Sequence, residues 1–364
     1  MIFYFVLLLI VCTILYAFDS KEGNILSFLV LLVVSALREN GADFRAYELI
    51  YNMAYTTPWS RLFDDSIDFI GGLEPGFLIF TKLAASTGLG YRYYLLITSA
   101  VILYGVYRFI DGYSVDRAFS IWLYICFGWY TTSFTAIRQY LAMAFVLLSL
   151  IEYQNKRSVR TVILMAFAVT FHLSSIICIV FLGFNRIKVT RNKINLTLFL
   201  FPVFYLAVCC SWEWMSRIVS RFSSRYGSFF QQEAVGTGRG GKFILYMAFF
   251  IFIAATVFFN RSRISFLNER VGVRSAYFGI RLELYLITLL VFTEIAIFAL
   301  PIGRLAWYME IPMALLIPNV VNCYYSGSNR KILTVALLAV SALLFVYFVN
   351  GDMNVATYRI WQGD

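Results

Sequence analysis

Long apolar stretches alternate with short polar loops from one end of the chain to the other, each stretch running about 14 to 20 residues. A helix that crosses a hydrocarbon core of about 30 Å needs roughly 20 residues. The pattern therefore predicts crossings near residues 2–18, 24–37, 92–110, 118–133, 137–153, 195–210, 243–259, 282–300, 308–325 and 331–349. The stretch from Ile2 to Phe18 lacks a basic leader and a small-residue cleavage site, so it reads as a retained first helix rather than a signal peptide. No long polar tract, Pro-rich linker, heptad run or fixed-period repeat divides the chain. The expected fold is an all-α polytopic integral membrane protein, with residues 1–364 forming a single transmembrane domain of about ten full transmembrane helices.

Charge fixes the expected sidedness. Lys and Arg collect on the cytoplasmic side of membrane proteins. Four clusters are assigned there: Lys156, Arg157 and Arg160; Arg186, Lys188, Arg191 and Lys193; Arg261, Arg263, Arg270 and Arg274; and Arg330 with Lys331. Both termini then lie outside, as do two longer loops, 38–73 and 211–242, which are expected to be periplasmic.

Two apolar segments break this scheme. Residues 161–184 are flanked on both sides by basic clusters that belong inside, which one crossing helix cannot satisfy. Two short helices of about a dozen residues, rising roughly 18 Å and returning with a bend near His172, would satisfy both. The segment Glu74 to Ser86 is too short to cross and reads as a half-helix entering from outside, with Pro75 in its first turn. Such short re-entrant elements are tolerated at membrane depth only against protein or a wet cavity, so an outward-facing cavity is expected.

Composition agrees with the pattern. With 61% apolar and 14% charged residues and a mean hydropathy of +0.76, the chain cannot bury its apolar surface in one water-soluble core. The net charge of +10 is spread over short loops, which fits topology signals and not a nucleic-acid surface. Cys12, Cys126, Cys178, Cys209, Cys210 and Cys323 form no CxxC pair, lie mostly in apolar stretches and read as packing residues. One histidine and no paired ligand spacing offer no metal site, and Gly236 to Gly241 lacks the context of a nucleotide loop. No cofactor is expected.

Candidate chemistry lies where charge meets apolar sequence. Arg38, Arg138 and Arg304 fall outside, at helix ends, against the charge bias. One such arginine can snorkel to headgroups or pair with an acid such as Glu39 or Glu310. Three of them beside two re-entrant elements point to an anion site, because guanidinium forks match phosphate oxygens. His172 is either a hydrogen-bonded interior residue beside Ser174 and Ser175 or a proton acceptor at the cavity floor. Asp43 and Glu74 are reserve bases, or halves of ion pairs with Arg38 or Arg45. The aromatics Tyr47, Tyr51, Tyr55, Trp59, Trp212 and Trp214 belong to an interfacial belt or stack on sugar faces.

In order, the motifs are Arg38-Glu-Asn-Gly41-Ala-Asp43-Phe-Arg-Ala-Tyr47, Glu74-Pro-Gly-Phe77, Ile137-Arg138-Gln139-Tyr-Leu-Ala142 and Phe171-His172-Leu-Ser-Ser175, followed by Ser224-Arg225-Tyr226 and Arg304 with Tyr308. This order resembles the EpsG branch of the Wzy-type polymerases, with Leu173 where many relatives carry proline. The resemblance implies a glycosyltransferase of the bacterial inner membrane. It would join undecaprenyl-pyrophosphate-linked oligosaccharide repeat units into O-antigen or exopolysaccharide on the periplasmic face. It also implies membrane lipid as surroundings, a chain-length regulator and a flippase as possible partners, and no nucleic acid. His172, Arg138, Asp43 and Glu74 are the catalytic candidates. Arg38, Arg304, Arg225, Gln139, Tyr47 and Tyr308 are the candidates for substrate binding. An O-antigen ligase, a membrane O-acyltransferase and a lipid-linked oligosaccharide flippase are the alternatives.

Overall fold

The computed structural model describes residues 2–18, 21–179, 304–351 and 358–360, with isolated positions between 182 and 256. The chain forms two compact units, residues 1–179 with 334–364 and residues 180–333. Among the described residues the secondary structure is helical, apart from one isolated bridge between Arg38 and Ile360.

In the first unit, α1 (Ile2–Ala17) and α2 (Lys21–Leu37) follow the predicted apolar stretches closely. The loop expected at 38–73 is folded: α3 (Phe44–Thr56) and a 3-10 turn (Trp59–Arg61) lie within it. Phe44, Tyr47, Glu48, Tyr51 and Ala54 recur every three or four residues and are the buried face of α3. The tyrosines and glutamate of that face, with Arg45 and Asn52 beside it, lower the mean hydropathy, which is why a hydropathy reading passes over an amphipathic helix. Next come α4 (Pro75–Ser86), α5 (Tyr91–Tyr113), α6 (Arg117–Cys126), the single turn α7 (Trp129–Thr132), α8 (Ile137–Gln154) and α9 (Ser158–Phe171). A 3-10 segment, Leu173–Cys178, follows α9.

Two further departures have local causes. The crossing expected at 118–133 is not one helix, because Gly128 takes a left-handed conformation at φ +74° and separates α6 from α7. Thr131 and Thr132 hydroxyls donate to the Gly128 carbonyl at 3.0 and 2.8 Å and satisfy the break. The bend expected near His172 is present: α9 stops at Phe171 and His172 is extended, at φ −157° and ψ 114°. The returning half of 161–184 falls mostly outside the described residues, as do the crossings expected at 195–210, 243–259 and 282–300.

Helix packing uses small residues. A Cβ placed on Gly105 of α5 would stand 2.7 Å from the Cα of Ala144 in α8, so these backbones meet at a distance only glycine permits. The short connection after α8 folds α9 back along it, with Phe145 against Phe171 at 5.1 Å and Ser149 donating to the Thr161 carbonyl at 3.0 Å. This antiparallel pairing brings the start of α8 beside the end of α9, and so Arg138 near His172.

The second unit includes a 3-10 turn (Arg304–Ala306) and α10 (Trp307–Tyr324), where a crossing was expected. Pro312 and Pro318 lie inside α10, and neither can donate to the carbonyl four residues earlier. The last helix, α11 (Gly327–Gly351), straddles the boundary between the units. Two described helices are long and apolar enough to cross a membrane, Tyr91–Tyr113 and Gly327–Val346, and the second buries only 11% of its apolar window within the protein. That exposure suits a helix facing lipid.

Candidate functional site

Glu74 precedes the first turn of α4, and Pro75 at the first helical position has no N–H to be capped. The carboxylate makes no capping bond and is available elsewhere. One oxygen, Oε2, accepts from Arg138 Nη1 at 2.7 Å, and the other, Oε1, lies 2.9 Å from His172 Nδ1. Three motifs that are far apart in sequence, at 74, 138 and 172, thus meet at one carboxylate. The three side chains are 18% (Glu74), 24% (His172) and 30% (Arg138) exposed, sheltered yet reachable.

The surroundings hold this geometry. Gly76 lets the first turn of α4 lie against the end of α9: a Cβ there would stand 2.7 Å from Thr170 Cβ and closer still to its hydroxyl. Phe80 packs against Phe171 at 5.7 Å. Gly76→Ala is expected to cost about 1–3 kcal/mol by overpacking and to shift Glu74 from its partners. Gly112→Ala, on an open helix surface, serves as the control. Thermal unfolding of the two purified variants, with product length in cells, checks this; equal behaviour would show that the contact tolerates a methyl.

Electrostatics favour an ionised Glu74. Burial alone raises its pKa, but the hydrogen bond from His172 and the charge of Arg138 outweigh it and bring the group down to about 2. A carboxyl depressed on folding contributes stability above its unfolded value near 4.5, and that contribution is lost as pH falls through the folded value. Between pH 5 and 9 Glu74 therefore remains a carboxylate. A carboxylate can only accept, so His172 Nδ1 is the donor, and in a neutral imidazole Nε2 then keeps its lone pair. Among the described residues, Nε2 makes no hydrogen bond.

Tyr47 on α3 reaches the same place. Its phenol oxygen lies 3.5 Å from the Arg138 backbone nitrogen, a long contact, and its ring meets Phe77 edge-on at 6.0 Å. The register of α3 is set upstream at Gly41, whose φ is +118° and whose added Cβ would sit 2.8 Å from the Phe134 carbonyl oxygen. The adjacent Ala42 N–H donates to Thr135 Oγ1 at 3.2 Å. The glycine of the first motif thus docks onto the backbone that leads into the arginine motif. On the other side of α3, Lys82 of α4 is buried and donates to the carbonyls of Ala54, Tyr55 and Thr57 at 2.8, 3.2 and 2.7 Å. A cation at the end of a helix satisfies its free carbonyls and its dipole. Neither Lys82 nor the packing role of Gly76 was predicted; a lysine inside an apolar helix was the available signal.

The other candidates lie in different settings. Arg38 is only 1% exposed: its guanidinium donates to the Ser35 carbonyl and to Ser99 Oγ at 3.2 Å, and stacks over Phe134 at 4.6 Å. The chain end is fastened beside it. Glu39 N–H donates to the Arg359 carbonyl at 2.8 Å, and Arg359 N–H to Asn40 Oδ1 at 2.7 Å. Asp43 is half-buried at the start of α3 and makes no capping bond. Arg45, its suggested partner, bonds Glu39 and Glu48 at 2.7 Å each. Gln139 is buried in the first turn of α8. In the second unit Arg304 is exposed and stacks on Trp307 at 5.7 Å, and Tyr308 is buried. Arg225 lies outside the described residues.

A family model described as the EpsG family matches residues 24–360, which takes in every candidate above. No curated protein and no solved structure matches the chain.

Proposed function

We propose that this chain, which belongs to the EpsG family, is a membrane glycosyltransferase that polymerises polysaccharide from undecaprenyl-pyrophosphate-linked oligosaccharides. Its body has about ten crossings, and it works on the outer face of the bacterial inner membrane. The observation that carries the reading is the bridge of Glu74 to both His172 and Arg138. It joins a proton acceptor and an anion-binding group on one rigid carboxylate. In glycosyl transfer from a pyrophosphate the one serves the attacking hydroxyl and the other the leaving group.

In this reading the acceptor sugar hydroxyl gives its proton to His172 Nε2 as its oxygen attacks the anomeric carbon of the donor. A new C–O bond forms there, the bond to the phosphate oxygen breaks, and its electron pair leaves on the lipid pyrophosphate. Glu74 supports the cation that develops on His172 and fixes the ring. Arg138 offers its remaining N–H groups to the departing phosphate, where charge grows in the transition state. A pyrophosphate needs more than one guanidinium, so further cations join Arg138 in holding it. Tyr47 and Gln139 shape the sugar site, and Asp43 contributes at its edge. Arg38, whose Nη1 is engaged inside the bundle while its buried Nε has no partner among the described residues, acts by holding the loop that carries Gly41 and Tyr47.

The test is the purified protein in vesicles with lipid-linked repeat unit as sole substrate. A ladder of lengthened glycan is expected; transfer only to a different acceptor would instead identify a ligase. His172→Ala and His172→Gln are each expected to reduce the ladder about 10²- to 10⁴-fold. Full activity in both would remove His172 from the reaction.

A further inference from the structure

A cavity of about 780 Å³ opens between the start of α2, the end of α5 and the start of α6. About 17 residues of α5 separate it from the Tyr91 end that packs near α3, roughly 25 Å at 1.5 Å per residue. It is therefore distant from Glu74, within the same unit. Lys21, Arg108 and Arg117 line it, against the single carboxylate of Asp111. Asp111 bonds Arg117 at 2.9 Å, both side chains being about half exposed. Among the described residues, Lys21 and Arg108 have no acidic partner within bonding distance. Two cations lining a cavity thus have no counter-ion among the described residues.

The other lining residues are mostly apolar or aromatic. Ile25, Leu29 and Tyr104 line the cavity and are themselves 50%, 46% and 51% exposed, so the cavity is continuous with the outer faces of α2 and α5. Its floor is fixed: Tyr107 donates to Ser27 Oγ at 3.1 Å and meets the Phe28 ring edge-on at 5.5 Å. Arg and Lys at a helix end keep their charge at headgroup level with their stems along apolar surface. A water-soluble anion would use the charges and leave the apolar walls wet. A neutral lipid would use the walls and leave Lys21 and Arg108 unpaired.

We infer that this cavity is a binding site for one anionic phospholipid, its phosphate between Lys21 and Arg108 and its acyl chains along Ile25, Leu29 and Tyr104. On the charge-derived topology the loops after α1 and α5 are cytoplasmic, and the site takes lipid from the inner leaflet, where anionic headgroups attract basic residues. The inference rests on the membrane reading of these helices and not on glycosyl transfer.

The test is lipid retention by the full-length protein in detergent, read by native mass spectrometry after titration with phosphatidylglycerol or phosphatidylcholine. Wild type is expected to retain phosphatidylglycerol in preference. The double variant Lys21→Gln with Arg108→Gln is expected to bind it roughly tenfold more weakly or worse, while Lys156→Gln, at a different loop, changes nothing. Ile25→Trp, which fills the apolar wall and leaves the charges, should also expel the lipid. Equal retention of the two lipids by wild type, or unchanged phosphatidylglycerol binding in the double variant, overturns the inference. So does binding of soluble glycerol 1-phosphate as tight as that of the lipid, which would make the site one for a free phosphate ester. None of these outcomes depends on polymer formation, so they are distinguishable from failure of the proposed reaction.

Discussion

Glu74→Gln should leave a folded protein whose polymerising activity is lower by about 10²- to 10⁴-fold, comparable to the loss of a general base or its orienting partner. Both carboxylate oxygens accept, one from Arg138 and one from His172. Glutamine has the same shape but only one accepting oxygen. If its oxygen stays with Arg138, its NH₂ faces His172 Nδ1 and selects the tautomer with the proton on Nε2, which cannot take a proton from the acceptor. If the oxygen turns to His172, the NH₂ opposes the Arg138 guanidinium. Each orientation disables one of the two functions. Glu74→Asp keeps the charge but is one methylene shorter and reaches only one partner, so it should retain more activity than Glu74→Gln. The measurement is the initial rate of ladder formation by purified variants, with the thermal unfolding midpoint of each. Near wild-type rates in Glu74→Gln would sink the assignment of Glu74 as the orienting group.

The same trio explains what could be read from the chain. The apolar periodicity and the charge bias sufficed for α1, α2, α5, α8 and the last helix, since each is a long run with polar ends. They also located the break at His172 and the short helix after Glu74, because in both places a full crossing contradicts the charges on its flanks. The pairing itself was not legible. Glu74 was weighed against Arg38 and Arg45, which are nearer in sequence, whereas its partner is Arg138. Only the fold-back of α9 on α8 and the packing of Gly76 on Thr170 place these groups together. Helix α3 was hidden for a different reason: half of its buried positions are Tyr47, Glu48 and Tyr51, which count as polar in a hydropathy profile.

Arg138→Ala is expected to abolish detectable polymer, a fall of about 10²- to 10³-fold or more, because two effects coincide. The leaving pyrophosphate loses a guanidinium at the moment its charge grows. Glu74 also loses the partner that holds its Oε2, and with it the fixed direction of the hydrogen bond to His172. Arg138→Lys separates these effects. An ammonium can preserve the charge beside Glu74, but it cannot present the planar fork that engages a phosphate and a carboxylate together. Its rate should therefore fall by less than that of Arg138→Ala, while still showing weakened donor binding. Arg38→Met provides the contrast: that guanidinium is 1% exposed and held through Nη1 and its ring contact by Ser35, Ser99 and Phe134, so its loss should appear first in the unfolding midpoint and only secondarily in the rate. Polymer length in cells at matched protein levels, and donor saturation curves in vesicles, check the series. Wild-type polymer length in Arg138→Ala would remove this arginine from the site and leave Glu74 and His172 as a structural pair.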